Sequence, residues 1–197
     1  CQIGSETATM PMSTRAAQLR YIKWIGRNDP SIDVVVFDGP KLGDEGAEAL
    51  GDALRANTTV RRLWLSKQAI GPRGANAIAD ALVGNASIIE LDLYDNDVGA
   101  EGAKALAGAM VLSGRSIESL DLSRNAIGDE GAKALADVLS RDGGGGGGGG
   151  DAIEQLDVSS NGIGDAGAKE LARALVHHLR GLDVSRNEIG AGGAGGR

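Results

Sequence analysis

Residues 120–139 read LDLSRNAIGDEGAKALADVL, and this stretch decides the fold. Leu120 and Leu122 alternate with Asp121 and Ser123, the period-two pattern of a strand buried on one face. Asn125, Ile127 and Gly128 follow as a turn. Ala132, Leu135, Ala136 and Leu139 then recur at helical spacing, with Lys133 and Asp137 on the opposite side. Asp129 and Glu130 fall in the first helical turn, where exposed N–H groups favour acidic side chains. The unit is therefore strand, turn, helix.

Working outward, the same framework recurs five times. LDLYDNDVGAEGAKALAGAM starts at Leu91, LDVSSNGIGDAGAKELARAL at Leu156 and LWLSKQAIGPRGANAIADAL at Leu63. VVFDGPKLGDEGAEALGDAL starts at Val35, and a shortened LDVSRNEIGAGGAGG at Leu182. Successive starts lie 28, 28, 29, 36 and 26 residues apart. Pro72 stands where Asp129 stands in the other unit, which suits a first helical residue because its missing N–H is not needed there. One such unit cannot bury its apolar face alone, so stability comes from stacked neighbours. The fold class is α/β, a repeating β/α solenoid.

The shared pattern L-x-L-x-x-N-x-I-G-x-x-G-A-x-x-L-A-x-x-L, running from Ile32 to the C-terminus, resembles the leucine-rich repeat family. The resemblance is to its ribonuclease-inhibitor-like subclass, with units of roughly 28 residues, also seen in NOD-like receptors and Ran GTPase-activating proteins. It implies a right-handed horseshoe with a concave parallel sheet and convex helices. It also implies that Asn96, Asn125, Asn161 and Asn187 form an inward ladder bonding the turns of adjacent repeats, with Gln68 and Pro40 at the equivalent positions of earlier units. Buried turn peptides do need such partners. Gly71, Gly99, Gly128, Gly164 and Gly190 are expected to serve the same turn, by a positive φ or by close approach. Strands are expected near residues 34–37, 62–65, 90–93, 119–122, 155–158 and 181–184.

The flanks complete the domain plan. Residues 1–13 read as a disordered N-terminal segment, and 14–31 as a capping helix and turn, with Ala17, Leu19, Ile22 and Ile25 on one face. Residues 32–197 form the repeat domain. Within it Gly143–Gly150, eight consecutive glycines, fall where the spacing stretches to 36 and read as a flexible insert. The last unit dissolves into glycine, so either the natural chain continues past Arg197 or this end frays. The chain does not begin with Met, which suggests a fragment or a processed form.

Composition narrows the function. Gly supplies 32 of 197 residues and aromatics only 3 %, which suits a core of Leu and Ala. A net charge of −7 disfavours nucleic acid or anionic membrane as a partner. Cys1 is the single cysteine, so neither an intrachain disulfide nor a cysteine-ligated zinc is expected. His177 and His178 read as helix-end residues. No apolar run is long enough to span a membrane, and a cytoplasmic setting is expected.

The concave face is where a partner would sit. Trp64, Asp92, Asp121, Asp157 and Asp183 occupy one strand position; Ser66, Tyr94, Ser123, Ser159 and Ser185 come next on the outward face, with Lys67, Asp95, Arg124, Ser160 and Arg186 beside them. Trp64, Asp92, Tyr94, Asp121, Arg124, Asp157, Asp183 and Arg186 are the candidate protein-binding residues. Two readings of the acidic column stay open: a solvated face, or a surface for a basic protein segment. No catalytic residue, cofactor or metal is expected. The function expected is a non-catalytic interaction scaffold within a larger regulatory or sensor protein. The alternative is a GTPase activator resembling the Ran GTPase-activating family, although no activating residue maps onto this sequence.

Overall fold

The computed structural model describes residues 14–113, 117–140, 153–174 and 179–190. Along the chain run α1 (Arg15–Ile25), β1 (Val34–Val36), α2 (Gly43–Leu54), β2 (Arg62–Trp64), α3 (Pro72–Gly84) and β3 (Glu90–Asp92). They continue as α4 (Gly99–Ser113), β4 (Ser119–Asp121), α5 (Gly128–Leu139), β5 (Gln155–Asp157), α6 (Asp165–Arg173) and β6 (Gly181–Asp183). The strands form one parallel sheet in chain order, and α2 to α6 pack side by side behind it. Val35, Leu63, Leu91, Leu120, Leu156 and Leu182 lie in register across all six strands. This is an α/β horseshoe solenoid.

One hydrophobic core runs the length of the stack. Leu63, Leu91, Leu120 and Leu156 enter it from the sheet, and Leu50, Ile78, Leu106, Leu135 and Leu171 from the helices, all buried. Burial of each such side chain stabilises by roughly 1.5–3 kcal/mol. At the first unit, α1 lies against α2 and adds Tyr21, Ile22 and Ile25 to the same core. The Tyr21 ring meets Phe37 edge-on at 5.5 Å. Arg15 donates to the Leu42 carbonyl at 2.7 Å, and Gln18 donates to that of Pro40.

Strands end one residue sooner than the alternation predicts. Asp92, Asp121, Asp157 and Asp183 each accept, at 2.8 Å through Oδ1, the N–H two residues further on. That bond turns the chain. Inter-repeat backbone bonds nevertheless continue past it, as from Leu93 N to Asp121 O at 2.9 Å.

The helix-entry turns take two conformations. Gly71 and Gly164 are extended, with φ near −90°. Their N–H groups donate at 2.7 Å to Asp44 and Asp129, each in the helix of the repeat before. The same Oδ1 atoms also take Gly74 N and Gly167 N at 2.9 Å, so each carboxylate caps its neighbour's helix. Where that residue is Pro72 or Ala100, no carboxylate is available. Gly99 and Gly128 there adopt φ of 63° and 59° and donate forward to the Asn125 and Asn161 carbonyls. The expected glycines thus divide between the two reasons: Gly71 and Gly164 approach a carboxylate closely, where a Cβ would lie 3.1 and 3.3 Å from Asp44 and Asp129, and Gly99 and Gly128 have a positive φ. Gly190 in the last unit has a φ of 79° although its N–H donates to Asp165 of the preceding repeat at 2.5 Å.

The N-terminal segment 1–13, the glycine run 143–150, His177, His178 and the tail 191–197 lie outside the described residues. The pairing of β4 with β5 keeps Leu120 opposite Leu156 despite the 36-residue separation.

Candidate functional site

The strand residues flanking each buried leucine are half-buried and form the open face of the sheet in β2, β3 and β4. Registration turns them into two columns. One runs Val36, Trp64, Asp92, Asp121, Asp157, Asp183. The other, two residues earlier in each strand, runs Val34, Arg62, Glu90, Ser119, Gln155, Gly181. Sequence reasoning singled out the first and missed the second. The period-two rule carried the signal, because residues i and i−2 share a strand face.

Side-chain bonds fix the columns at their N-terminal end. Arg62 pairs with Asp33 at 3.2 Å. The Trp64 indole N–H donates to Glu90 Oε1 at 2.7 Å, which sets the plane of the ring. Ser66 Oγ donates to Asp92 Oδ2 at 2.7 Å. The Tyr94 ring stands between Lys67 and Arg124, with Nζ 5.5 Å and Cζ 5.8 Å from its centroid. Contacts of this kind hold cations over an aromatic face. Lys67, Asp95, Arg124, Ser160 and Arg186 all have φ of 55–58°, the left-handed bend that carries the chain off the sheet. Ser123, expected on the outward face, is buried, and its hydroxyl donates to Asp121 Oδ1 at 2.6 Å.

Four carboxylates on neighbouring strands do not share one environment. Asp121 is pushed above the ordinary carboxylate range, chiefly by burial, with Asp157 and Asp92 adding repulsion against the bonds from Ser123. Asp183 is held below that range by its bonds from Ser185, with help from Arg186. Burial therefore disfavours the charged form of Asp121, and hydrogen bonding favours that of Asp183. In Asp121, Asp157 and Asp183 the backbone bonds all fall on Oδ1.

Among the described residues two hollows lie on this face. One, of ≈ 420 Å³, lies over β1 and β2 and is lined by Val36, Phe37, Lys41, Trp64 and Lys67 among others. The second, of ≈ 400 Å³, lies over β4 to β6 and carries Asp121, Asp157 and Asp183. Small residues Ser119 and Gly181 leave the second one room.

Asn96, Asn125, Asn161 and Asn187 lie one repeat behind one another, below the open face. Asn96 Oδ1 accepts Gln68 N and Ile70 N at 2.9 and 3.0 Å, while its Nδ2 donates to the Leu65 and Leu93 carbonyls. Asn125 donates to Leu93 O and Leu122 O and accepts Val98 N at 3.2 Å. Asn161 accepts Asn125 N at 2.9 Å, and Asn187 accepts Asn161 N at 2.8 Å. Gln68 accepts Leu42 N at 3.1 Å and donates to Phe37 O at 3.0 Å. A second amide pair escaped the sequence reading. Asn57 donates to Ile25 O, and Asn85 to Leu54 O and Asn57 O, each at 2.8 Å. Their 28-residue spacing was the available signal.

Among the described residues no group of three His, Cys, Asp or Glu side chains could hold a metal ion. No described helix is long and apolar enough to cross a membrane.

Fold and face together define a solenoid whose side chains are displayed on one open parallel sheet. The family model described as Leucine Rich repeat matches residues 84–107, 115–136, 153–172 and 177–195, so the chain carries a leucine-rich repeat domain. The units containing β1 and β2 precede those matches and continue the same register. Among 57 matching chains of solved structures is the C-terminal domain of tropomodulin from Caenorhabditis elegans. It is 13 % identical, covers 82 % of this chain and 92 % of its own, and superposes with a TM-score of 0.61. At that identity the likeness is one of fold. A comparison with curated proteins gives no match.

Proposed function

We propose that this protein is a non-catalytic scaffold that binds a basic protein segment on the open face of its sheet. The observation that carries the reading is the registered column Asp92, Asp121, Asp157 and Asp183, with the oriented Trp64 at its head. Adjacent strands place the carboxylates about 4.8 Å apart. An incoming Lys or Arg offsets the burial, and in lesser part the neighbouring charge, that raise Asp121, and long-range attraction speeds encounter at low salt. Trp64 and Tyr94, with Arg124 and Arg186 at the rim, supply the anchors and the polar border expected of such an interface. We place the ribonuclease-inhibitor-like subclass, a cytoplasmic setting and membership of a larger regulatory protein within the same proposal.

The test uses a fluorescein-labelled lysine-rich peptide, titrated against the full chain at two ionic strengths. The double substitution Asp121→Asn and Asp157→Asn is expected to weaken binding and flatten its salt dependence. Equal affinities and equal salt slopes would leave the column as a solvated face. Acceleration of GTP hydrolysis by a small GTPase would instead favour the activator alternative.

A further inference from the structure

The two hollows differ in chemistry, and that difference specifies more than a basic partner. The first is lined by Val36, Phe37 and Trp64, with the charges of Lys41 and Lys67 matched by Asp38 and Asp92 and the indole N–H bonded to Glu90 at 2.7 Å. The second is floored by carboxylates and widened by Ser119 and Gly181. Strand β3 lies between them, since the first hollow ends at Asp92 and the second begins with β4. Resting on the scaffold reading, we propose that the occupant is an extended segment of another protein with two separated features. It carries one aromatic side chain, seated against Trp64 and Val36, and a pair of Lys or Arg residues further along, seated on Asp121, Asp157 and Asp183.

The spacing follows from the sheet. Three strand steps of about 4.8 Å separate Trp64 from Asp157, roughly 14 Å, which an extended chain covers in about four residues. The basic pair therefore begins about four positions from the aromatic. An aromatic fits the first hollow for two reasons. Its apolar lining of Val36, Phe37 and Trp64 offers surface against which an aromatic ring packs. A tethered indole stacks without further loss of rotamer freedom. The groove's polarity comes from the second hollow, where Asp121, Asp157 and Asp183 meet no basic lining residue, whereas Lys41 and Lys67 in the first are matched by Asp38 and Asp92.

The experiment is selection of random 16-residue peptides displayed on phage against the immobilised full chain, followed by titration of one enriched peptide in synthetic form. Enriched peptides are expected to pair an aromatic with two basic residues four to six positions away. Removing the spacer from the synthetic peptide is expected to weaken binding at least tenfold, with the protein itself unaltered. Trp64→Phe and Trp64→Ala are expected to weaken it progressively, with circular dichroism confirming the fold. Enriched basic peptides that respond to Asp121→Asn with Asp157→Asn, but not to spacer removal, would overturn this inference and leave the scaffold reading standing. Enrichment no better than on bare matrix, or peptides without basic residues, would overturn both.

Discussion

Asp121 and Asp183 occupy the same position of the same motif, yet titrate in opposite directions. Burial and two flanking carboxylates raise Asp121, whereas bonds from Ser185 lower the exposed Asp183. The raised group binds its proton more tightly when folded, so stability falls as pH climbs from the ordinary carboxylate range through the folded value. Asp121→Asn keeps an oxygen for Ser123 and removes the charge. Its thermal midpoint is expected at or above that of the parent at pH 7, with the difference gone at pH 3. A midpoint well below the parent at pH 7 would contradict this. The depressed Asp183 has the reverse sign: its contribution is present above the ordinary carboxylate range and is lost as pH falls. Asn125 is a different case, because its amide bridges two repeats below the surface. Asn125→Ala is expected to cost about 1–3 kcal/mol in chemical denaturation, the penalty for leaving buried peptide groups unpaired.

At the scale of elements, the helix N-termini are tied across repeats. Asp129 lies in the first turn of α5 but accepts from Gly164 and Gly167 at the start of α6. Asp129→Ala is expected to lose about 1 kcal/mol, within the range found for N-caps, and Asp129→Asn to recover much of it. The uncapped entries rely on backbone geometry instead. A Cβ on Gly99 would lie 3.7 Å from Pro72, an ordinary contact, so Gly99→Ala isolates the strain of φ at 63°. About 1–2 kcal/mol is expected from equilibrium unfolding. In Gly71→Ala the φ of −89° is harmless, and the cost comes only from a Cβ 3.1 Å from the Asp44 carboxylate. Equal, negligible effects of both substitutions would reject the two-conformation account of the turn.

For the whole molecule, the chain of nearest-neighbour contacts makes the cost of a core deletion depend on its place in the stack. Leu120 sits between units with 1 % of its surface exposed, while Leu182 in β6 is only half-buried. Leu120→Ala is expected to destabilise by about 2–5 kcal/mol, and Leu182→Ala by clearly less. A larger loss at Leu182 would mean that the last unit is covered by something beyond the six strands. Shortening the glycine run 143–150 is expected to preserve a single cooperative transition, because β4 and β5 already pair in the regular register across it. Loss of that transition would show the run to be required.

The sequence by itself determined the repeat, the alternating leucines that fix sheet register, the helical faces and the amide positions, because each is a local pattern copied every 28 or so residues. Strand order followed from the same copies, since units that cannot stand alone stack in sequence. Only the tertiary structure decided which glycines turn left, which helix a given Asp caps, and that burial raises Asp121 among four identical carboxylates. It also revealed the second concave column and parted the face into an aromatic hollow and an acidic one. The physical reason is common to all of these. Each depends on a side chain one repeat away, at a distance set by strand pairing and not by the chain.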